Sequence, residues 1–404
     1  MQMLVFGVIL VGFALTVRGR PRARLTAPLV FTGAGWALGA WGDPLLGLEV
    51  GDLHFLAELT LVLLLFHDAS KISLAELRSE WRLVARLLGI GLPLAVLAGY
   101  ATAGWLLPGL GAGLTLLVAA ALAPTDAALG APTVQNPAVP LRVRSVLNAE
   151  SGLNDGLATP IVLAALVLAA GDRLEPGGFL PPIAIAVALG AVLGWLGGRA
   201  VVWSEGRGWV TGVGLGVVLL ALPVMALSAA SVLGGNGFVA AFVAGLAFAA
   251  GAKELAHEER AGTALEVATE TLGSGVWFVF GASLGGLLVA GIRWQSVVFA
   301  VLALTVLRMV PVALALLGSG LRQRTVAFVG WFGPRGLASL VFALLSIEEL
   351  AGEGSVTDAH AEVLVTIGLT VLLSVVAHGL TGQPLAERYG AWVAVEQPTI
   401  EAGT

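Results

Sequence analysis

The sequence predicts an all-α polytopic membrane protein of about thirteen transmembrane helices, built as inverted repeats with two broken crossing helices, the fifth and the twelfth. Three observations predict it. The 404 residues are 57% hydrophobic and 12% charged, with a mean hydropathy of +0.94, whereas soluble domains carry about 25% charged residues. Apolar runs long enough to cross a hydrocarbon layer of about 30 Å recur along the chain. Two of those runs carry Pro and Gly beside a charge near mid-span, in Pro124-Thr125-Asp126 and Gly333-Pro334-Arg335-Gly336, where the chain must leave the helix.

Taken in order, the runs place helices at roughly 2–17, 25–41, 53–69, 82–107, 111–131, 142–170, 180–203, 209–231, 236–251, 263–290, 295–317, 324–348 and 361–382. Met1 to Val17 is followed by Arg18, Arg20, Arg22 and Arg24, whereas a signal peptide carries its positive charge before the apolar run. The first run is therefore expected to remain as a helix. Lys and Arg near a membrane gather on its cytoplasmic side. With the N-terminus outside, seventeen of the 21 basic residues fall in inside segments, only Arg173 and Arg293 fall outside, and Arg308 and Arg335 lie within helices. A missed or invented span would mix the two sides, so this asymmetry predicts thirteen spans with the N-terminus out and the C-terminus in.

Residues 1–386 are expected to form one transmembrane unit and 387–404 a short cytoplasmic tail, with no soluble domain and no attached nucleotide-binding module. The absence of cysteine removes disulfides, thiolate chemistry and Cys-based metal sites. The histidines at 54, 67, 257, 360 and 378 show no paired ligand spacing. No cofactor is expected. The net charge of −5 describes loops, so no nucleic-acid partner is expected and the bilayer is the chain's solvent.

The two breaks lie seven helices apart, an odd offset, so they run in opposite directions as counterparts of an inverted repeat. Freed carbonyls and half-helix ends there carry partial charge, which Asp126 and Arg335 can complement; the plainer reading makes both prolines simple kinks.

The densest polar stretch is Asn148-Ala-Glu150-Ser151-Gly-Leu-Asn154-Asp155-Gly-Leu-Ala-Thr159 in the sixth helix. At about 100° per residue, Asn148, Ser151, Asp155 and Thr159 share one stripe, with Glu150 and Asn154 beside it. An ionisable group at membrane depth costs roughly 2.5 kcal/mol or more, so the stripe reads as an ion or proton site. Asp155 lies about 20 Å along its helix from Arg142. A dry setting disfavours a bare carboxylate, and either a proton or a monovalent cation relieves that cost, so the two compete for one oxygen pair. If the unloaded site cannot cross, that competition alone gives exchange. Ser151 offers a hydroxyl and the break at Thr125 a main-chain carbonyl, both suited to a hard cation. Asn154 orients the site without charge. Asp126 is either a cation contact or a helix cap. Glu150 points away from the Asp155 stripe and needs a buried cation, Arg308 first by depth and Arg335 second, as a structural pair. Asp68 either lines a cytoplasmic funnel or pairs with Lys71. Glu58, Glu266, Glu270 and His378 read as helix contacts, and the glycines of the seventh to ninth helices as close packing.

At these residues the chain resembles the NhaP-type sodium/proton antiporters, bacterial relatives of the animal sodium/proton exchangers. The matching segments are Ala-Pro124-Thr125-Asp126, Glu150-Ser-Gly-Leu-Asn154-Asp155-Gly, Gly-Asn-Gly237-Phe-Val-Ala-Ala-Phe-Val-Ala-Gly245, Gly333-Pro-Arg335-Gly336 and Ser374-Val-Val-Ala-His378-Gly, in family order. The resemblance implies a core bundle (82–170 and 295–382) moving against a panel (1–70 and 180–290) that forms a homodimer. It implies Asp155 as carrier of ion and proton, with Thr125, Asp126, Ser151 and Asn154 around a sodium ion, a Glu150–Arg308 pair, and a place in a bacterial or archaeal plasma membrane. Asn154 before the key Asp implies electroneutral exchange. Gly152 stands where a larger apolar residue is common in the family.

The expected activity is therefore electroneutral sodium or lithium exchange for protons, not enzymatic catalysis. Potassium/proton exchange on the same fold is the alternative. An intramembrane aspartyl protease would also place two Asp residues in helices, but it usually shows Gly-x-Gly-Asp, and Asp155 follows Gly-Leu-Asn. A passive channel would need no titrating carboxylate at a helix break.

Overall fold

The computed structural model describes residues 2–16, 26–41, 50–134, 136–171, 178, 180–252, 259–289, 291–351, 357–398 and 401. Within them every predicted run contains helix. The chain opens with α1 (Gln2–Thr16), α2 (Ala27–Trp41) and α3 (Val50–Ser70). Next comes α4 (Leu74–Arg86), which passes through a π-helical turn at Leu87–Gly91 into α5 (Leu92–Leu106). The sequence reading set the start of this helix at 82. The earlier turns carry Glu76, Arg78 and Glu80, an amphipathic stretch that hydropathy passes over, and Arg142 Nε donates to Glu80 Oε2 at 2.8 Å to tie it down.

The chain continues with α6 (Gly111–Ala121), α7 (Ala127–Val134), α8 (Leu141–Ala169), α9 (Leu180–Glu205), α10 (Gly212–Val232) and α11 (Gly237–Gly251). It closes with α12 (Glu259–Val289), α13 (Trp294–Leu304), α14 (Val306–Ala315), α15 (Gln323–Trp331), α16 (Leu337–Ala351) and α17 (Asp358–Glu396). Among the described residues, seven helices are long and apolar enough to cross a membrane on their own, and the halves α6 and α16 of the broken helices are among the shorter apolar ones. The breaks separate α6 from α7 and α15 from α16, as the Pro and Gly residues predict. α17 runs through Pro384 and takes in residues 387–396, the first part of the expected short cytoplasmic tail. Arg18, Arg20, Arg22, Arg24, Arg173 and Lys253 of the charge pattern lie outside the described residues.

Helix packing takes two forms. Gly190, Gly194 and Gly198 recur every four residues on α9 and meet the backbone of α11, where a Cβ on Gly190 or Gly194 would overlap the carbonyl oxygens of Ala240 or Ala244. Such contact lets dispersion act between backbones. It also places the glycines inside the chain's own packing. The other form is polar, and it lies where α6, α7, α8, α15 and α16 converge.

Candidate functional site

The site is built on α8, whose polar stripe is buried along its length. Glu150, Ser151, Asn154, Asp155 and Thr159 are each at most 7% exposed. Thr125 reaches the stripe from the first break: its Oγ1 lies 2.8 Å from Ser151 Oγ and accepts from Asn154 Nδ2 at 2.7 Å. Asn154 Oδ1 is buried and meets no hydrogen-bond donor. An unsatisfied buried oxygen is rare in proteins, and here it stands beside Asp155. Thr159 Oγ1 donates to the Asp155 carbonyl at 2.8 Å, which binds one end of the stripe back to the helix. The structure thus joins Thr125, Ser151 and Asn154 in one hydroxyl and amide cluster on the turns of α8 that carry Asp155.

The charges around it are divided between compensation and availability. Arg308 of α14 and Glu150 form a two-pronged pair, with Nη1 to Oε1 at 2.5 Å and Nη2 to Oε2 at 2.8 Å, both side chains no more than 5% exposed. Of the two partners weighed for Glu150, Arg308 is the one it meets. Asp126 sits at the crossing, where Oδ1 accepts the Leu129 N–H at 3.0 Å and Oδ2 the Leu337 N–H at 2.8 Å. One carboxylate therefore caps α7 and α16 together, facing the positive ends of both half-helices. Of the two roles left open for Asp126, this geometry supplies the capping one. The unwound segments also bond directly, with the Asp126 N–H donating to the Pro334 carbonyl at 2.8 Å.

Arg335 is 1% exposed, and its Nη1 donates to the Gly333 carbonyl at 2.8 Å, so it complements a carbonyl freed by the second break. Asp68 does not pair with Lys71. It lies 3.0 Å from His67 Nδ1, while Lys71, just past the end of α3, reaches Glu266 at 3.4 Å, a partner on another helix that sequence adjacency hides. The α3 chain passes next to α8 at Gly152, where a Cβ would stand 3.4 Å from the Asp68 carbonyl. Sequence reasoning missed Phe242 of α11, whose ring covers Gly156 so closely that a Cβ there would overlap it.

A family model described as "Sodium/hydrogen exchanger, transmembrane" matches residues 5–388. The chain belongs to this family. Among the exchanger relatives, Na(+)/H(+) antiporter 2 of Zygosaccharomyces rouxii is 28% identical over 333 residues, covering 69% of this chain and 40% of the relative. A Na(+)/H(+) antiporter of Schizosaccharomyces pombe is 25% identical over 301 residues, covering 66% of this chain and 63% of the relative. The chain thus spans less than two thirds of these relatives' length. The solved structure of the sodium proton antiporter MjNhaP1 from Methanocaldococcus jannaschii superposes with a TM-score of 0.73 at 20% identity, covering 96% of this chain and 99% of that one. That likeness establishes the exchanger fold for this polytopic chain.

Proposed function

We propose that this exchanger-family protein moves sodium or lithium against protons by alternating access, with cation and proton competing for Asp155. The observation that carries the reading is the setting of that carboxylate. It is buried on the helix that carries Ser151 and Asn154, while the neighbouring carboxylates have partners, Glu150 in Arg308, Asp126 in two helix N-termini and Asp68 in His67. Asp155 is thus the group left to take a cation or a proton, and Asn154 Oδ1 is an oxygen left to face a cation. With Asn154 neutral, one proton replaces one monovalent cation and the cycle is electroneutral. Ser151 and Thr125 complete the sodium contacts, and Asp68 lines the cytoplasmic approach.

The core of 82–170 and 295–382 moves against the panel of 1–70 and 180–290. The panel forms a homodimer, and the chain sits in a bacterial or archaeal plasma membrane with its N-terminus outside. The antiporter names of the relatives support transport over enzymatic catalysis. The two-helix capping by Asp126 argues against an aspartyl protease, whose two carboxylates share a proton.

The test is recovery of a quenched pH dye in everted vesicles on adding sodium, lithium or potassium. Wild type is expected to respond to sodium and lithium, and Asp155→Asn to neither. An Asp155→Asn protein with full response refutes the mechanism, and a response to potassium alone favours the potassium reading. Collapsing the membrane potential is expected to leave the response undiminished; strong inhibition refutes one-for-one exchange.

A further inference from the structure

A helix that breaks at mid-span separates a backbone donor from its acceptor. In an unbroken helix the Arg335 N–H would bond the Trp331 carbonyl four residues back. In the structure α17 meets both ends: Ser374 Oγ accepts the Arg335 N–H at 2.7 Å, and His378 Nε2 lies 2.9 Å from the Trp331 carbonyl oxygen, which also accepts the Gly333 N–H at 2.9 Å. Ser374 and His378 are one turn apart on the same face, both buried, with Ser374 Oγ and His378 Nδ1 at 3.3 Å. A neutral imidazole satisfies the series, with Arg335 N–H donating to Ser374 Oγ, its hydroxyl to Nδ1, and Nε2–H to Trp331. Nδ1 also faces the Ser374 carbonyl at 2.9 Å, so the other tautomer would hold that carbonyl and release Trp331. Thr381, on the adjoining turn, accepts from Trp331 Nε1 at 3.1 Å.

We propose that Ser374 and His378 are positioning residues that together bridge a backbone hydrogen bond lost at the break of the twelfth helix, that between the Arg335 N–H and the Trp331 carbonyl, fixing its unwound segment to α17. The segment they hold touches the site. A Cβ on Gly333 would overlap the Arg308 guanidinium and lie 3.0 Å from Thr125 Cγ2, so displacement of the segment reaches both the Glu150–Arg308 pair and the Thr125 cluster. Arg335, whose Nη1 donates to the Gly333 carbonyl, is part of the same segment. The effect on transport rests on the exchange reading above; the bridge rests on the geometry alone.

One measurement needs no variant. In hydrogen–deuterium exchange of the wild-type protein, the Arg335 amide is expected to be as protected as the interior amides of α16; exchange at the rate of an exposed amide overturns the bridge. The full chain carrying His378→Gln, His378→Phe or Ser374→Ala is then compared in proteoliposomes by sodium-driven proton flux, with thermal unfolding measured alongside. Gln retains a donor for the Trp331 carbonyl, whereas Phe keeps the ring volume without one. His378→Gln is expected to stay within about twofold of the wild-type KM for sodium, and His378→Phe and Ser374→Ala to raise it about fivefold at unchanged maximal rate, the size of one lost buried hydrogen bond. A His378→Phe protein with wild-type KM, or a His378→Gln protein as impaired as His378→Phe, overturns the positioning role. If wild type moves no protons for sodium while the Arg335 amide is protected, the exchange reading falls and the bridge is upheld.

Discussion

The α9–α11 interface and the crossing of the two broken helices hold helices together in the same apolar medium by opposite means. Between α9 and α11 the contact is backbone on backbone through glycines, with little directional constraint beyond close approach. At the crossing the contacts are hydrogen bonds and ion pairs, each with named partners: Asp126 on two N-termini, Arg335 on a carbonyl, Arg308 on Glu150. The first arrangement fails when volume is added. The second fails when one member is removed, because its partner is left buried and unsatisfied.

The largest effect is expected where a charge is orphaned. Glu150→Ala leaves the Arg308 guanidinium unpaired in a buried site and should destabilise by about 3–5 kcal/mol, read as a lowered unfolding midpoint in detergent. Combining Glu150→Arg with Arg308→Glu should recover much of that loss, and no recovery would show that the pair is held by its surroundings more than by its own attraction. Next comes Gly194→Val, which drives a side chain into the Ala244 carbonyl and should cost about 1–3 kcal/mol by overpacking. Its sodium KM should stay unchanged in the protein that remains folded; a shifted KM would show that the glycine interface is coupled to the ion site. The smallest effect belongs to Gly152→Ala. Its Cβ would meet the Asp68 carbonyl and Ile72 at an ordinary 3.4 Å, so the gain in helix propensity of about 0.8–1 kcal/mol should appear as slight stabilisation. Destabilisation there would mean that α3 and α8 lie closer than their backbones show.

Legibility differed between these regions for a physical reason. The breaks, the helices and the stripe from Glu150 to Thr159 could be read from the chain, because proline, glycine and buried charge each conflict with an apolar helix locally. The Glu150–Arg308 pairing could be ranked by depth but needed coordinates to be seen. Phe242 over Gly156 had no local signal, since an aromatic in an apolar helix conflicts with nothing. Ser374 and His378 carried a weak one, a polar pair four residues apart on one face of the last helix, but not what they face.

The sequence by itself determined that this chain lives in lipid, where it breaks, and which carboxylates need an explanation, because those follow from hydropathy, backbone geometry and the cost of burying charge. The tertiary structure decided how each polar group is answered. It gave Asp126 to two helix ends, Asp68 to His67 instead of Lys71, and the ends of the missing Arg335–Trp331 bond to α17. Those choices depend on which helices lie side by side, and in an all-helical chain the spacing along one helix leaves its neighbours unnamed.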